Sequence, residues 1–223
     1  MKNHKVWITW AVVIIILAGG YFSQRHQSSK TTEQGKLGGQ QIISPQQIKA
    51  SSEPASQKNE NKDLPQSLDG EGITVIGDSV MVGIEPYLKE KLPKITIDGK
   101  VGRQMSQAQK LTDELKAEGK LGDRIIIELG TNGPFNKKSL RSLLQSLSDK
   151  QVYVVTTRVP KGWQDTVNTN IKDVAGEFNN VKIVDWYAAS EGKKDIFYED
   201  GVHLKPDGSR YYASLLIEAL QEQ

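Results

Sequence analysis

Apolar positions change their rhythm twice along this chain. Val6 to Phe22 (VWITWAVVIIILAGGYF) is an apolar run of 17 residues, interrupted only by Thr9, Gly19 and Gly20. From Ser23 to about Leu68 the chain turns to Gln, Ser, Lys and Glu, with no aromatic residue and no sustained period. Beyond Asp69 short β-branched runs alternate with stretches of helical spacing. Strands are predicted at Ile73 to Ile76, closing at Gly77, then at Ile95 to Asp98, Arg124 to Leu129, Val152 to Thr156 and Val181 to Val184. Helices are predicted at Val80 to Leu92, Ser106 to Glu118 with Gly119 closing it, Ser139 to Leu147, Trp163 to Phe178, and Pro206 to Leu220. In the first of these Val80, Ile84, Tyr87, Leu88 and Leu92 make one apolar face. Pro206 suits a first helical position, where its missing N–H is harmless.

Strands alternating with helices at this spacing predict a parallel sheet covered on both faces. Five strands in about 150 residues imply a small three-layer α/β/α domain, with the bulky RIIIEL segment as a central strand. Ligand sites in such sheets lie at the carboxyl ends of the strands. Ser79, Gly102 and Asn132 follow the first, second and third predicted strands and are the residues to test for chemistry.

The two earlier segments have their own readings. As a helix the apolar run reaches roughly 25 Å, the short end of what spans a hydrocarbon core of about 30 Å. Lys2 and Lys5 before it, and the amino terminus, place the N-terminus inside and the remainder outside a membrane. An uncleaved single-pass anchor is the favoured reading, with Trp7 and Tyr21 at interfacial positions. A signal peptide cleaved near Ala18-Gly19-Gly20 is the alternative, leaving a secreted protein. The polar stretch lacks the apolar surface to offset ordering entropy and reads as a disordered tether. It reaches on the order of 40 Å. The expected organisation is residues 1–22 for the cytoplasmic end and anchor, 23–69 for the linker, and 70–223 for the folded domain.

Composition narrows the chemistry. No cysteine is present, so a thiol nucleophile, thiolate zinc sites and a lipid-modified cysteine are excluded. The formal net charge of +2 gives no reason to propose nucleic acid as a partner. No Walker-type loop is present. Of three histidines, His4 and His26 precede the folded part, so His203 is the domain's only one. That leaves carboxylates as the bulk of any metal-ligand set, and neither metal nor other cofactor is expected.

His203 lies three residues after Asp200 in EDGVHL. An aspartate at this spacing, with glycine turning the backbone, can reach the imidazole Nδ1 and leave Nε2 as a base. The bland alternative is a surface histidine after an Asp-Gly turn. Gly77-Asp78-Ser79 puts a serine just past a strand and at a helix start, a site favourable to negative charge; equally, Asp78 or Ser79 could simply cap the helix. It is not the G-x-S-x-G elbow, because Met81 stands two after Ser79. Asn132 in Gly130-Thr131-Asn132-Gly133 could donate an amide N–H to an oxyanion, or belong to a turn. Gly102 in Val101-Gly102-Arg103-Gln104 offers an exposed backbone N–H, or is an ordinary loop glycine.

Taken together and in this order, Ser79 in GDS, Gly102, Asn132 in GTN and His203 in DGVH resemble the four blocks of the SGNH (GDSL-type) hydrolase superfamily. The resemblance covers roughly residues 72 to 220. It implies a flavodoxin-like fold and a covalent acyl-serine mechanism with Ser79, His203 and Asp200 as catalytic triad. The N–H groups of Ser79 and Gly102 and the Asn132 amide would form the oxyanion hole. GDSVMVG, IDGKVGRQ, ELGTNG, TRVP at Thr157 to Pro160, and VDWY at Val184 to Tyr187 look like the extracellular domain of Gram-positive peptidoglycan O-acetyltransferases. That likeness implies acetyl transfer to the C6 hydroxyl of N-acetylmuramic acid. The family's usual architecture places a multi-pass acyltransferase domain before the SGNH domain. Here a single apolar segment stands in its place, so either a separate membrane protein supplies acetyl groups or the enzyme does something else with the same serine.

Two rivals remain at this level. A deacetylase or carbohydrate esterase of the same fold differs only in whether water resolves the acyl-enzyme. A catalytically dead wall-binding module is disfavoured by the intact blocks. Trp163, Trp186, Tyr187, Phe197 and Tyr198 are candidates for a sugar-stacking surface, with core packing the expected fate of most.

Overall fold

The computed structural model describes residues 68–222. The expected anchor and nearly all of the expected tether lie outside these residues, and among the described residues no helix is long and apolar enough to cross a membrane.

Five strands form one wholly parallel sheet: β1 Ile73–Gly77, β2 Thr96–Gly99, β3 Arg124–Glu128, β4 Gln151–Val155 and β5 Val181–Val184, in the order β2-β1-β3-β4-β5. β3 is central, as its run of isoleucines predicts. Thr74, Ile125 and Val152 lie in register across the three inner strands. Those strands are almost entirely buried, whereas β2 and β5 are half-exposed edges. Buried parallel strands need apolar, β-branched residues on both faces, which ITVIG, RIIIE and QVYVV supply.

Six helices cover the sheet: α1 Ser79–Lys91, α2 Ala108–Ala117, α3 Lys137–Ser146, α4 Gln164–Ala175, α5 Trp186–Ala189 and α6 Pro206–Gln221. Alternation along the strands divides the core. Val75, Ile126, Tyr153 and Val155 pack with Ile84 and Leu88 of α1 and Tyr212 and Leu216 of α6. Ile76, Ile125, Ile127, Val152 and Val154 face Leu140 and Leu144 of α3 and Val167 and Ile171 of α4. The result is the expected three-layer α/β/α arrangement. The strand order reverses between β1 and β3, and the crevice outside the carboxyl ends of those two strands is where such sheets hold ligands.

Element boundaries differ from the periodicity in instructive places. The second helix starts as a 3-10 turn, Met105–Gln107, because the Gln107 side chain accepts the Gln104 amide at 2.9 Å and tightens the entry. The fourth helix is shorter at both ends than Trp163 to Phe178. Trp163 precedes it and donates its indole N–H to the Gly130 carbonyl at 3.3 Å. The short α5, held by Asp185 accepting the Ala188 amide at 3.1 Å, was not predicted. Four residues are too few to display a period.

Candidate active site

Ser79 opens α1 directly beyond β1, and its neighbour Asp78 is the N-cap, accepting the Val80 amide at 3.0 Å. The cap therefore belongs to Asp78, which leaves the Ser79 hydroxyl free to point elsewhere. It meets His203 Nε2 at 2.9 Å. On the other side of the ring, Nδ1 lies 2.7 Å from Asp200 Oδ2. The second Asp200 oxygen accepts the amides of Val202 and His203, both at 2.9 Å. Gly201, at φ +66°, gives the loop its turn between carboxylate and imidazole. Burial raises the Asp200 pKa, but its hydrogen bonds from the His203 ring and the two amides outweigh that and hold it below the usual carboxylate range. A proton on Nδ1 is donated to this carboxylate, and Nε2 is left to accept from the serine.

The other two loops meet beside this line. Gly102 adopts φ +77°, a left-handed conformation that glycine allows without penalty. Asn132 donates its amide to Thr131 Oγ1 at 3.1 Å and to the Arg103 carbonyl at 3.4 Å, and the Gln104 amide side chain reaches back to the Asn132 carbonyl at 3.4 Å. The β2 loop and the β3 loop are thus joined. Thr131 in turn donates its hydroxyl to Asp78 Oδ2, which connects Asn132 to the turn that carries Ser79.

Three residues that sequence reasoning did not single out hold this arrangement. Arg103 is buried and donates to the Gly77 carbonyl at 3.1 Å, to the Asp98 carbonyl and to the Asp98 carboxylate. It pins the ends of β1 and β2 under the Gly102 loop. Thr131 is the second. Glu128, the last residue of β3, is the third: it is buried, and its Oε2 accepts the Asp78 amide at 3.3 Å. Burial, and then the charge of Asp78, push the Glu128 pKa well above its ordinary value. Asp78 is also raised by burial, but hydrogen bonds from Thr131, Val80 and Asn132 oppose the rise. Among the described residues the buried Tyr212 hydroxyl has no partner, and burial followed by the fields of Glu128 and Asp78 drives its pKa upward. The available sequence signal was a glutamate ending the most apolar strand.

Ser79 and His203 line a cavity of 330 Å³ together with Tyr87, Tyr198 and Pro206. Among the proposed stacking aromatics, Trp186 and Phe197 belong to the core, Trp186 stacked on Tyr212 at 4.1 Å between centroids. Tyr187 lies beneath the Arg158 guanidinium at 4.4 Å. Only Tyr198 of that group lines the serine's cavity, where Tyr87 joins it. Among the described residues no cluster of histidine and carboxylate side chains has the makings of a metal site.

Fold and site together define a three-layer α/β/α domain with a Ser79–His203–Asp200 hydrogen-bonded line at the carboxyl end of its parallel sheet. A chain from Slackia heliotrinireducens described as an SGNH hydrolase superposes with TM-score 0.52 at 18% identity, covering 66% of this chain and 97% of that one. The C-terminal catalytic domain of Streptococcus pneumoniae peptidoglycan O-acetyltransferase A superposes with TM-score 0.62 at 24% identity, covering 67% and 92% respectively. In sequence the chain is a relative of peptidoglycan O-acetyltransferase OatA of Listeria monocytogenes, 43% identical over 165 residues. O-acetyltransferase OatA of Staphylococcus aureus is 40% identical over 148 residues. The first alignment takes in 74% of this chain but 26% of the Listeria protein, so the chain spans about a quarter of the length of these relatives. No family model matches the chain.

Proposed function

We propose that the domain is an O-acetyltransferase acting on peptidoglycan, at the C6 hydroxyl of muramic acid, through an acetyl-Ser79 intermediate. The observation that carries this reading is the unbroken Ser79–His203–Asp200 line, with its 2.9 Å and 2.7 Å contacts, in a chain 43% identical over 165 residues to a peptidoglycan O-acetyltransferase. Ser79 Oγ attacks the acetyl carbonyl of the donor as His203 Nε2 takes the hydroxyl proton. The tetrahedral oxyanion is held by the N–H groups of Ser79 and Gly102 and the Asn132 amide. Its collapse breaks the bond to the donor's leaving oxygen, which takes the proton from His203. A sugar hydroxyl then gives its proton to His203, attacks the acetyl carbon, and expels Ser79 with that proton returned. Asp200, kept ionised, stabilises the imidazolium in both halves.

Glycan recognition falls to the serine's cavity, which Tyr87 and Tyr198 line. The apolar segment at residues 6–22 is read as an anchor with the domain outside the membrane, and a separate multi-pass membrane protein would deliver acetyl groups. Hydrolysis is the second reading. Asp200 and His203 have side chains 48% and 45% exposed, so water can reach the acyl-enzyme when no acceptor is bound.

Incubating the full-length chain with an activated acetyl ester and chitooligosaccharide, then weighing the products, tests the proposal. Acetylated sugar is expected. Free acetate alone at high acceptor concentration would assign the domain to the esterases. Ser79→Ala and His203→Ala are each expected to abolish turnover while the circular dichroism spectrum stays unchanged; near-normal turnover by Ser79→Ala would end the acyl-serine reading.

A further inference from the structure

A second cavity of 740 Å³ opens on the other side of the loop that carries Asp200, and the exposed Tyr198 lines both it and the serine's cavity. Its charge is one-sided. Arg158, Lys193, Lys194 and Lys205 line it against a single carboxylate, Glu199, an excess of three positive charges in a chain whose formal net charge is +2. Several cations elsewhere on the domain are paired with carboxylates, among them Lys94 with Asp69, Lys137 with Asp173, Arg141 with Glu177 and Lys172 with Asp185. Here the partners are neutral. Arg158 donates through Nε to Ser190 Oγ and through Nη2 to the Tyr187 carbonyl, and its guanidinium lies over the Tyr187 ring at 4.4 Å. Lys205 donates to the Asp195 carbonyl at 3.0 Å, and Lys193 sits 5.4 Å from the Tyr211 ring centre. Neutral partners orient a cation without cancelling its charge. Arg158 is held in one geometry with its Nη1 making no hydrogen bond among the described residues, ready for an anionic oxygen.

We infer that this cleft binds the carboxylates of the peptides attached to the glycan acceptor, with Tyr198 as the shared wall between the sugar and its peptide. The inference rests on the glycan-transfer reading for the identity of the polymer. A wall glycan bearing peptides presents carboxylates at a fixed remove from the sugar hydroxyl that is acylated. A cationic cleft beside the serine's cavity therefore orients the strand as well as attracting it.

The test uses the full-length chain carrying Ser79→Ala and measures binding calorimetrically. The probes are a disaccharide-peptide fragment with free carboxylates, the same fragment amidated, and an oligomer of glycerol phosphate. The free carboxylates are expected to tighten binding by about ten-fold, roughly the sum of two partly exposed ion pairs. The preference should shrink in high salt and in Lys193→Gln with Lys194→Gln. Equal binding of the amidated fragment overturns the proposal, as does a preference that survives the double substitution. Stronger binding of the glycerol phosphate oligomer also overturns it. A wild-type chain that acetylates neutral oligosaccharide but shows no carboxylate preference sinks the cleft alone. Carboxylate-dependent binding without any transfer sinks the transferase reading and leaves the cleft standing.

Discussion

Replacing Glu128 by glutamine removes one titratable proton from beneath the nucleophile while keeping an acceptor for the Asp78 amide, now 3.3 Å from Oε2. In the folded domain burial and the neighbouring charge of Asp78 hold the Glu128 pKa well above 4.5, its ordinary value in the unfolded chain. Below that value both states are protonated and the group leaves stability untouched. Above it the unfolded carboxyl ionises and the folded one does not, so the unfolded state binds fewer protons. Stability then falls with a slope of about 1.4 kcal/mol per pH unit until the pH passes the folded pKa. Asp78 shifts in the same direction, and Asp123, Glu177, Asp185 and Asp200 in the opposite one. All but Asp78, which is coupled to Glu128, are the same in both proteins and cancel in the difference. Glu128→Gln is therefore expected to gain on the wild type from pH 5 upward, the gap widening with pH until the folded pKa is passed. Urea denaturation at pH 5, 6, 7 and 8, followed by tryptophan fluorescence, measures the gap. A gap that stays constant across this range would mean that Glu128 is ionised and stabilised in the fold, and would refute the reasoning. Glu128→Ala separates polarity from packing: it leaves the Asp78 amide buried without an acceptor and opens a cavity, so it is expected to lie about 3 kcal/mol below Glu128→Gln at every pH.

Two further substitutions address the loops around the serine. Asn132→Ala is expected to lower kcat for an activated acetyl ester by about 10²-fold, the usual effect of removing one oxyanion donor, with KM little changed. A loss below about three-fold would place the oxyanion elsewhere. Gly130 sits at φ +139°, and a Cβ there would stand 2.6 Å from Thr157 Oγ1 and 2.7 Å from Val167 Cγ1. Gly130→Ala is therefore expected to destabilise the domain by about 3 kcal/mol through strain and overpacking. A midpoint in urea matching the wild type would show that the β3 loop yields more readily than this packing implies.

The sequence by itself determined a good deal of this protein. The order of strands and helices, the parallel sheet and the central place of β3 all follow from local periodicity, because a strand buried on both faces must be apolar throughout. The pairing of Asp200 with His203 was legible for the same local reason: three residues and a glycine suffice to bring a carboxylate to an imidazole. That the Ser79 hydroxyl would meet the other face of that ring, across 124 positions of chain, was an expectation drawn from resemblance. Other features belonged to the tertiary structure alone. Trp186 and Phe197 went into the core and Tyr87 to the cavity, since a side chain's exposure depends on what packs over it. Glu128 became a buried acid only when β3 was enclosed and Asp78 was brought against it. Arg158 and the lysines of the 740 Å³ cleft were scattered basic residues until folding brought them together with one carboxylate among them. Local rules specify backbone conformation; the dielectric and the charge around a side chain are set by residues distant in sequence.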